Sequence, residues 1–287
     1  MNATLVLLGV LALLFVGFTF VFVKDYLGHK DQWEPGTSFV KSGIIGLVVN
    51  FFDTLGIGSF APTTALLRTF KQIDDRVLPG TLNVAMTIPV IVEAFAFIRA
   101  VEVEPVTLTA MIVAASVGSY VGAGFMSKLP KQTVQKTMAV ALSIAGLIML
   151  AQILGIFPGG GEAIGLTGVA LVIGVVGNLI LGALMTAGVG LYAPCMALVY
   201  LLGMSPAVAF PIMMASCAYL MPICSVKFIK EGAYNRRASM AISIFGVVGV
   251  LIAVFLVTSL PLDILKWLVV GVIAYTSFSM FKASKTA

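Results

Sequence analysis

Two short stretches that contain glycine and proline could bind an anion with backbone amides alone. The first reads GIGSFAP, from Gly56 to Pro62, and the second reads GVGLYAP, from Gly188 to Pro194. Glycine permits a tight turn, and proline suits the first turn of a helix, where its missing N–H is not needed. The free N–H groups and the positive dipole end of each new helix would then face the turn, which is the chemistry of an anion site.

Polar side chains beside the two turns could supply further hydrogen bonds to an anion. Residues with hydroxyl groups flank both turns, and Thr186 is one of them at the second turn. The side-chain amide of Asn83 follows the first turn. The candidate binding residues are Thr54, Gly56, Gly58, Ser59, Ala61, Pro62, Thr63, Thr64, Asn83, Gly188, Gly190, Tyr192, Pro194 and Cys195. The structural alternative is that the glycines and prolines only mark close helix packing or a kink.

Acidic residues inside apolar segments are candidates for ion coupling, because intramembrane acids are costly and often carry protons or bind ions. Asp53 lies three residues before the first turn and is the candidate carrier of a coupled proton or ion. The alternative is a buried acid that bonds to the backbone or to Asn50. Glu93 lies within IPVIVEAFAFIR, where we expect it to pair with Arg99 near the end of its span.

The composition indicates a membrane protein. Of the 287 residues, 60% are hydrophobic and 10% are charged, and the mean hydropathy is +1.11. A soluble domain carries about 25% charged residues. Lipid offers no partner for backbone polar groups, so the spans must be helices or a closed barrel, and a barrel would show short alternating segments. The continuous apolar runs therefore predict an all-α polytopic membrane protein.

Residues 1–23 lack a basic start and a cleavage site, so they are predicted to form a retained helix and not a signal peptide.

The shortest apolar segments directly follow the glycine turns. The segments after the turns have about a dozen residues and reach only about 18 Å, against a hydrocarbon core of about 30 Å. We therefore expect two re-entrant hairpins beside seven full spans. The apolar segments are 3–23, 40–56, 60–70, 77–99, 105–126, 133–157, 164–187, 191–202, 206–228, 238–259 and 262–281.

Basic residues predict the orientation in the membrane. With this topology, all of the 17 lysines and arginines except Arg99 and Lys266 fall on one face. Loops rich in lysine and arginine stay in the cytoplasm, so the N-terminus is predicted outside and the C-terminus inside. Arg68 and Lys71 at the first hairpin could also attract anions, although cytoplasmic placement alone explains them. If the short segments crossed the membrane, every later loop would keep its side, and the distribution of basic residues would be the same. The length of these segments is therefore the only indication that they form hairpins.

The two turns belong to an internal duplication. An offset of 132 residues aligns both glycines and the proline of one turn with those of the other, and it also aligns Pro79 with Pro211. Self-similarity at a fixed period indicates repeated architecture. Each repeat is a hairpin plus three spans, and three is odd, so the second copy is expected to be inverted. The predicted unit is a single transporter domain, with an N-terminal helix and loop over 1–36, repeat 1 over 37–157 and repeat 2 over 158–287.

Other chemistry has little support in the sequence. Cys195, Cys217 and Cys224 lack CxxC spacing and His29 is the single histidine, so zinc, haem and triad sites are not expected. No phosphate-binding loop pattern is present, so the chain does not encode direct drive by ATP. We expect no metal, no cofactor and no nucleic-acid partner. The expected partners are a small anion and the lipid bilayer, and a homodimer is one state that the sequence allows.

The stretches GIGSFAP and GVGLYAP, each with a second proline seventeen residues after its own, resemble the TauE/SafE sulfite exporter family over nearly the whole chain. The usual run of three or four glycines is Gly-x-Gly here. The resemblance implies transport of small sulfur-containing anions, such as sulfite or organosulfonates, across a prokaryotic inner membrane. Inverted repeats with interrupted helices are typical of secondary transporters, so we expect alternating access around the two turns. The alternatives are a passive anion channel, a carboxylate transporter of the same fold, and an enzyme or thiol relay that uses Cys195.

Overall fold

The structure, a computed structural model, describes residues 3–97, 102–156, 161–256 and 262–286. These ranges contain helices and no β-strand, which confirms the all-α class. Two single 3-10 turns, Lys30–Gln32 and Asp75–Val77, join the longer elements. The α-helices are α1 (Ala3–Gly28), α2 (Phe39–Thr54), α3 (Phe60–Thr69), α4 (Leu78–Phe97), α5 (Pro105–Met126), α6 (Lys131–Ile153), α7 (Gly168–Met185), α8 (Tyr192–Leu201), α9 (Pro206–Lys230), α10 (Arg236–Leu256) and α11 (Leu262–Thr286).

Seven of the described helices are long and apolar enough to cross a membrane, namely α1, α4, α5, α6, α7, α9 and α10. This finding confirms a polytopic membrane protein. Helices α3 and α8 have 10 residues each and reach about 15 Å, half of the hydrocarbon core. Helix α7, predicted as a hairpin arm, has 18 residues, so its length alone would let it cross. The return of each hairpin to its own side remains a prediction.

The outer helix faces are apolar and the central helices are buried. Leu13, Val169 and Phe255 expose about three quarters of their side-chain area (74%, 75% and 76%), as expected for surfaces in contact with lipid chains. Helices α4 and α9 lie in the interior, with most of their residues buried. Each has proline inside the helix, which removes a backbone hydrogen bond and favours a kink.

The two halves of the chain pack in a reciprocal way. The contact of α2 with α10 in one direction corresponds to that of α7 with α5 in the other. In the same way, the contact of α3 with α11 corresponds to that of α8 with α6. The contact of α4 with α10 corresponds to that of α9 with α5. Exchange of residues 37–157 with residues 158–287 converts each of these contacts into its partner. This is the packing that a duplication with two-fold symmetry would produce, while the inverted insertion itself remains a prediction.

Glycines bring the longer hairpin arms into backbone contact with the opposite half. A Cβ atom at Gly118 of α5 would collide with the carbonyl oxygen of Leu179 in α7. A Cβ atom at Gly249 of α10 would likewise collide with the carbonyl oxygen of Leu47 in α2. Small residues that allow such close approach are typical of helix contacts in membranes. We call these two contacts the glycine seams.

The N-terminal helix is attached to the second half by polar contacts. Asp25 of α1 accepts a hydrogen bond from Arg236 Nε at 2.8 Å and another from the Tyr234 hydroxyl at 2.5 Å. Burial and the Asp25 carboxylate raise the pKa of Tyr234, so this phenol keeps its proton and remains a donor. At the other end of α1, the Tyr219 hydroxyl donates to the carbonyl oxygen of Leu7.

Candidate functional site

The first tip, residues 55–59, is a break between α2 and α3. Helix α2 ends at Thr54 and α3 begins at Phe60. Gly56 and Gly58 have φ values of +87° and +89°, in the left-handed region that strains residues with a Cβ atom. The N-cap residue Ser59 makes no side-chain capping bond to α3. The first-turn amides therefore have no acceptor within their own helix.

The second tip, residues 186–191, is the matching break between α7 and α8. Helix α7 ends at Met185, Gly188 has a φ of +93°, and α8 begins at Tyr192. Its N-cap residue is Leu191, which has no polar atom to cap with. Pro194 is the third residue of α8, as Pro62 is of α3, so both prolines occupy first-turn positions that need no N–H.

The two tips lie against a common cavity of about 50 Å³, which we name the tip cavity. A single water needs roughly 10–15 Å³ by this measure, so the space suits a few waters or one small anion. Among the described residues, no lysine, arginine or histidine lines it. The lining residues are Asp53, Ile57, Gly58, Ser59, Phe60, Ala61, Val90, Leu142, Met149, Met185, Gly190, Leu191, Tyr192, Ala193 and Cys217.

Ten of these lining residues form pairs related by the offset of 132 residues. Both helix starts therefore contribute the same backbone positions to the tip cavity. The side chains of the pairs differ, which makes the first tip more polar than the second. The pairs are Asp53 with Met185, Gly58 with Gly190, Ser59 with Leu191, Phe60 with Tyr192 and Ala61 with Ala193.

Asp53 faces the start of α3. Asp53 and Ser59, the N-cap residue of α3, both line the tip cavity, so this acid lies near the positive end of the α3 dipole. Asn50, the alternative partner, donates instead to the Gly46 carbonyl oxygen at 2.7 Å. The start of α8 has Met185 at the corresponding position and thus has no acid of its own. Its first-turn amides have no acceptor within their own helix.

Glu93 of α4 joins the two hairpins. The Thr54 hydroxyl shares its one proton between the Asn50 carbonyl oxygen at 2.8 Å and Glu93 Oε1 at 3.0 Å, and the Tyr192 hydroxyl donates to Oε2 at 2.9 Å. Glu93 is fully buried, and it is close enough to Asp53 for the two carboxyl groups to interact electrostatically. Arg99, the expected partner of Glu93, lies outside the described residues. One carboxyl group thus contacts both the end of α2 and the start of α8.

Apart from Asn83, the candidate residues named from the sequence fall into two groups. Those that line the tip cavity are Asp53, Gly58, Ser59, Ala61, Gly190 and Tyr192. Those beside it, at the end of α2, in the tips or at the start of the short helices, are Thr54, Gly56, Pro62, Thr63, Thr64, Gly188, Pro194 and Cys195.

Several of the candidate donors have partners within their own helices. The Thr63 and Thr64 hydroxyls donate to carbonyl oxygens one turn earlier, at 2.7 and 2.8 Å. The Thr186 hydroxyl donates to the Ala183 carbonyl oxygen at 2.6 Å. Asn83 is a residue of α4 beside Cys224 of α9, and its amide donates to the Pro79 carbonyl oxygen at 2.8 Å. These groups help to hold the helices, and none of them lines the tip cavity.

The cysteines are placed differently from the sequence expectation. Cys195 is fully buried but does not line the tip cavity, whereas Cys217 of α9 does. The Cys217 Sγ atom lies 3.8 Å from Met185 Sδ. Sequence reasoning missed Cys217 and Glu93 as neighbours of the site. An acid within an apolar span is itself a signal of function, but a thiol in such a span has no comparable signal.

A polar cluster lies at the C-terminal end of α3. Arg68 forms two hydrogen bonds with the Asp75 carboxylate, at 2.9 and 3.2 Å, and donates to Ser279 Oγ at 2.9 Å. Gln135 of α6 donates to the same carboxylate at 2.8 Å. Arg68 therefore ties α3 to α6 and α11, in addition to any attraction it exerts on anions.

A more exposed ion pair lies beside this cluster. Lys131 Nζ lies 2.6 Å from an Asp74 carboxylate oxygen, and the side chains are 45% and 55% exposed. Partial burial would raise the pKa of Asp74, but the Lys131 ammonium and the Arg76 backbone N–H together lower it below its ordinary value.

Comparison with known proteins identifies a family. No curated protein and no solved structure matches the chain. The family described as "Sulfite exporter TauE/SafE" matches residues 2–149, more than half of the sequence. The matched part contains the first tip, Asp53 and Glu93, while the second tip lies beyond it. From the family match, and in agreement with the apolar helices and the paired tips, the chain belongs to the sulfite exporter TauE/SafE family of membrane transporters.

Proposed function

We propose that the protein is a secondary transporter that exports a small sulfur-containing anion, sulfite or an organosulfonate, through the tip cavity. The observation that carries the proposal is that two helix starts, one from each half, line one buried cavity. Helix N-termini bind anions with backbone amides and need no buried lysine. Membership of the sulfite exporter family supports the sulfur-containing class, and the geometry alone would accept a small carboxylate as well.

Alternating access is the mechanism that agrees with the burial of the residues at the two helix starts. Ser59, Leu191 and Tyr192 expose no more than 6% of their side chains. An open channel would keep such groups in contact with water. In a transporter, one bundle of helices moves against another around a central site. We therefore expect flux that saturates with substrate concentration.

The remaining parts of the proposal concern placement and energy source. The protein acts in a prokaryotic inner membrane, with the N-terminus outside and the C-terminus in the cytoplasm. Residues 1–287 form one transport unit in which 37–157 and 158–287 are inverted repeats. The chain moves its substrate without chemical change, and Asp53 lies where a coupled proton or ion could interact with the anion.

The test is transport by the purified protein in liposomes. We expect uptake of sulfite and methanesulfonate that saturates and shows counterflow. Ala61→Leu would fill most of the tip cavity and should reduce transport by about tenfold or more, a loss of roughly 1.4 kcal/mol in binding. Ala65→Leu, one turn further along α3 and outside the lining, is the matched control. Equal transport by the two variants would show that the anion does not pass through this cavity.

The same preparation separates the alternatives. Flux that is linear in concentration and lacks counterflow would indicate a channel. Replacement of Cys195, Cys217 and Cys224 by serine should preserve transport, because the proposed site uses amides and hydroxyls. Loss of transport in that variant, with normal folding, would indicate a thiol relay instead.

A further inference from the structure

Asp53 and Glu93 form a buried pair of carboxyl groups without a cation partner among the described residues. Glu93 has no exposed area and Asp53 has 2%. The ion pairs of the described residues involve other acids, Asp25, Asp74 and Asp75. Buried carboxylates are normally paired with a cation, because removal of their charge from water is expensive. The pair therefore needs another source of neutralisation.

The groups that face Glu93 do not supply a positive charge. Among the described residues, Asp53 approaches from α2, Tyr192 from α8 and Cys217 from α9, and the direct donors to the Glu93 carboxylate are the Thr54 and Tyr192 hydroxyls. Two carboxyl groups that share one site cannot easily both be ionised. The two groups titrate as a pair, and a bound proton belongs to the pair as a whole.

An anion in the tip cavity would add a negative charge beside this pair. Asp53 lines the cavity directly, and Glu93 contacts it through Tyr192. Charges that interact in a buried site are poorly screened. An anion will therefore bind far more tightly once the pair has lost one negative charge.

We propose that the Asp53–Glu93 pair takes up one proton with each anion, and that Glu93 is the positioning residue that transmits this event to both hairpins. The inference rests on the proposed function and names its coupling ion. The proton comes from the solution on the side from which the anion enters, and it forms an O–H bond to a carboxylate oxygen. No electrons are transferred, and the reverse step releases the proton with the anion on the other side.

The hydrogen bonds of Glu93 explain how the proton would act on the tips. An ionised Glu93 accepts bonds from Thr54 at the end of α2 and from Tyr192 at the start of α8, and so holds the two hairpins together. A protonated Glu93 has one acceptor position fewer. When the proton is on Oε2, the Tyr192 hydroxyl loses its acceptor and becomes free to donate to an anion in the cavity that Tyr192 lines. Proton uptake would thus both reduce repulsion and add a donor.

Sodium is the competing neutralising ion, since the surroundings are rich in oxygen atoms. The structure favours the proton, because both hydroxyls lie at hydrogen-bonding distances of 2.9 and 3.0 Å from the carboxylate. Moreover, no group of three His, Cys, Asp or Glu side chains that could hold a metal ion occurs in the part of the chain that the structure describes.

The experiment measures proton uptake on binding of methanesulfonate, whose charge does not change near neutral pH. Calorimetry of the purified full-length protein, in buffers that differ in ionisation enthalpy, gives the number of protons bound per anion. We expect about one proton per anion above the titration of the pair, with an affinity that rises about tenfold for each unit of falling pH. Infrared difference spectra should gain a protonated-carboxyl band on anion binding.

Glu93→Gln and its controls test the role of Glu93. This variant should bind methanesulfonate with little proton uptake, without the infrared band and with an affinity nearly independent of pH. Glu102→Gln, an exposed acid outside the cavity, should behave as the wild type. Glu93→Asp keeps the carboxyl group and should retain proton uptake. If Glu93→Gln does not fold, the wild-type uptake and the Glu93→Asp variant still decide the matter.

The outcomes separate this inference from the proposed function. If no small anion binds to the wild type, the proposed function fails. Binding without proton uptake or pH dependence would overturn the proton inference and leave the transport function standing. Uptake that survives Glu93→Gln and disappears only in Asp53→Asn would overturn the role of Glu93. An affinity that follows sodium concentration instead of pH would replace the proton by sodium.

Discussion

Gly58 and Gly190 hold the same position in the two tips, yet the backbone makes different demands on them. Gly58 has a φ of +89° and open space around the position of a Cβ atom. Gly190 has no positive φ, and a Cβ atom there would lie 3.7 Å from Phe60 Cβ, an ordinary contact. Only Gly58 is therefore required by backbone conformation.

This difference gives a matched pair of variants. Gly58→Ala should lower the free energy of unfolding by about 1–2 kcal/mol, because alanine is strained in the left-handed region. Gly190→Ala should change stability little. Thermal unfolding of both variants in detergent is the measurement, and equal melting temperatures would contradict the assigned backbone geometry.

The sequence could indicate the individual acids but not their partners. The sequence indicated Asp53 as a candidate for ion coupling, because it is an acid beside a predicted helix break. Glu93 also lies within an apolar span, yet the nearest cation in sequence, Arg99, suggested an ordinary ion pair. Its contact with Tyr192 joins residues of different halves, and no local pattern encodes such a contact. Thr63 and Thr64 show the reverse problem, since a hydroxyl near a turn can equally well donate to its own helix.

At the level of elements, the polar cluster of Arg68 and Asp75 fixes the C-terminal end of α3. Asp75→Asn should lower the free energy of unfolding by about 1–3 kcal/mol, because it leaves a largely buried guanidinium without its charged partner. Asp74→Asn removes an exposed ion pair and should change stability by less than about 1 kcal/mol. Chemical or thermal unfolding of the two variants compares them directly, and a larger effect at Asp74 would contradict the cluster.

The start of α5 provides a prediction for pH. Glu104 accepts hydrogen bonds from the Thr107 hydroxyl at 2.7 Å and from two backbone N–H groups, of Thr107 at 2.6 Å and Val106 at 2.9 Å. The bonds from Thr107 and then from Val106 lower the pKa of Glu104 below its ordinary value. A lowered pKa in the folded state contributes stability above the ordinary pKa, and this contribution is lost as pH falls through the lowered value.

Glu104→Gln should therefore be less stable than the wild type near neutral pH, by about 0.3–1 kcal/mol for a charge at a helix N-terminus. The difference should shrink below about pH 4.3, the ordinary value for glutamate. Melting temperatures between pH 7 and pH 3 provide the measurement, with Glu102→Gln as the control. A difference that persists at pH 3 would mean that the charge is not the cause.

The extents of the short helices were predictable from the sequence. The apolar segments after the turns, 60–70 and 191–202, agree within one residue with α3 and α8. Glycine and proline at the turns explain this success, because they act locally on the backbone. The length of α7 shows the limit of the approach. Hydropathy located this helix, but it could not distinguish a hairpin arm from a span.

For the whole molecule, the distribution of basic residues gives a test of orientation. Single cysteines at positions 2 and 285, in a variant without the three native thiols, should differ in labelling by an impermeant maleimide in intact cells. We expect label at position 2 and none at position 285 until the membrane is opened, because basic loops are retained in the cytoplasm. The opposite result would invert the proposed topology.

The match to the family over residues 2–149 covers the N-terminal helix and most of the first half. The second half is linked to it by the offset of 132 residues and by the reciprocal packing of the helices. The spacing of the Gly-x-Gly motif and the prolines is the same in both halves, although most side chains differ between them. Sequence alone could thus predict the duplication, but it could not show that both tips reach one cavity.

The glycine seams constrain any motion that opens the cavity. Where the backbones of α2 and α10, or of α5 and α7, touch without intervening side chains, sliding would force carbonyl groups into one another. Each seam should therefore move as one rigid plate, and the flexible joints must lie at the short helices α3 and α8. A crevice lies between α3 and α11, lined by Arg68 and Thr69 on one side and by Tyr275 and Ser279 on the other. A compound wedged there would then arrest the cycle without approaching the substrate, which makes the crevice a rational target for an inhibitor.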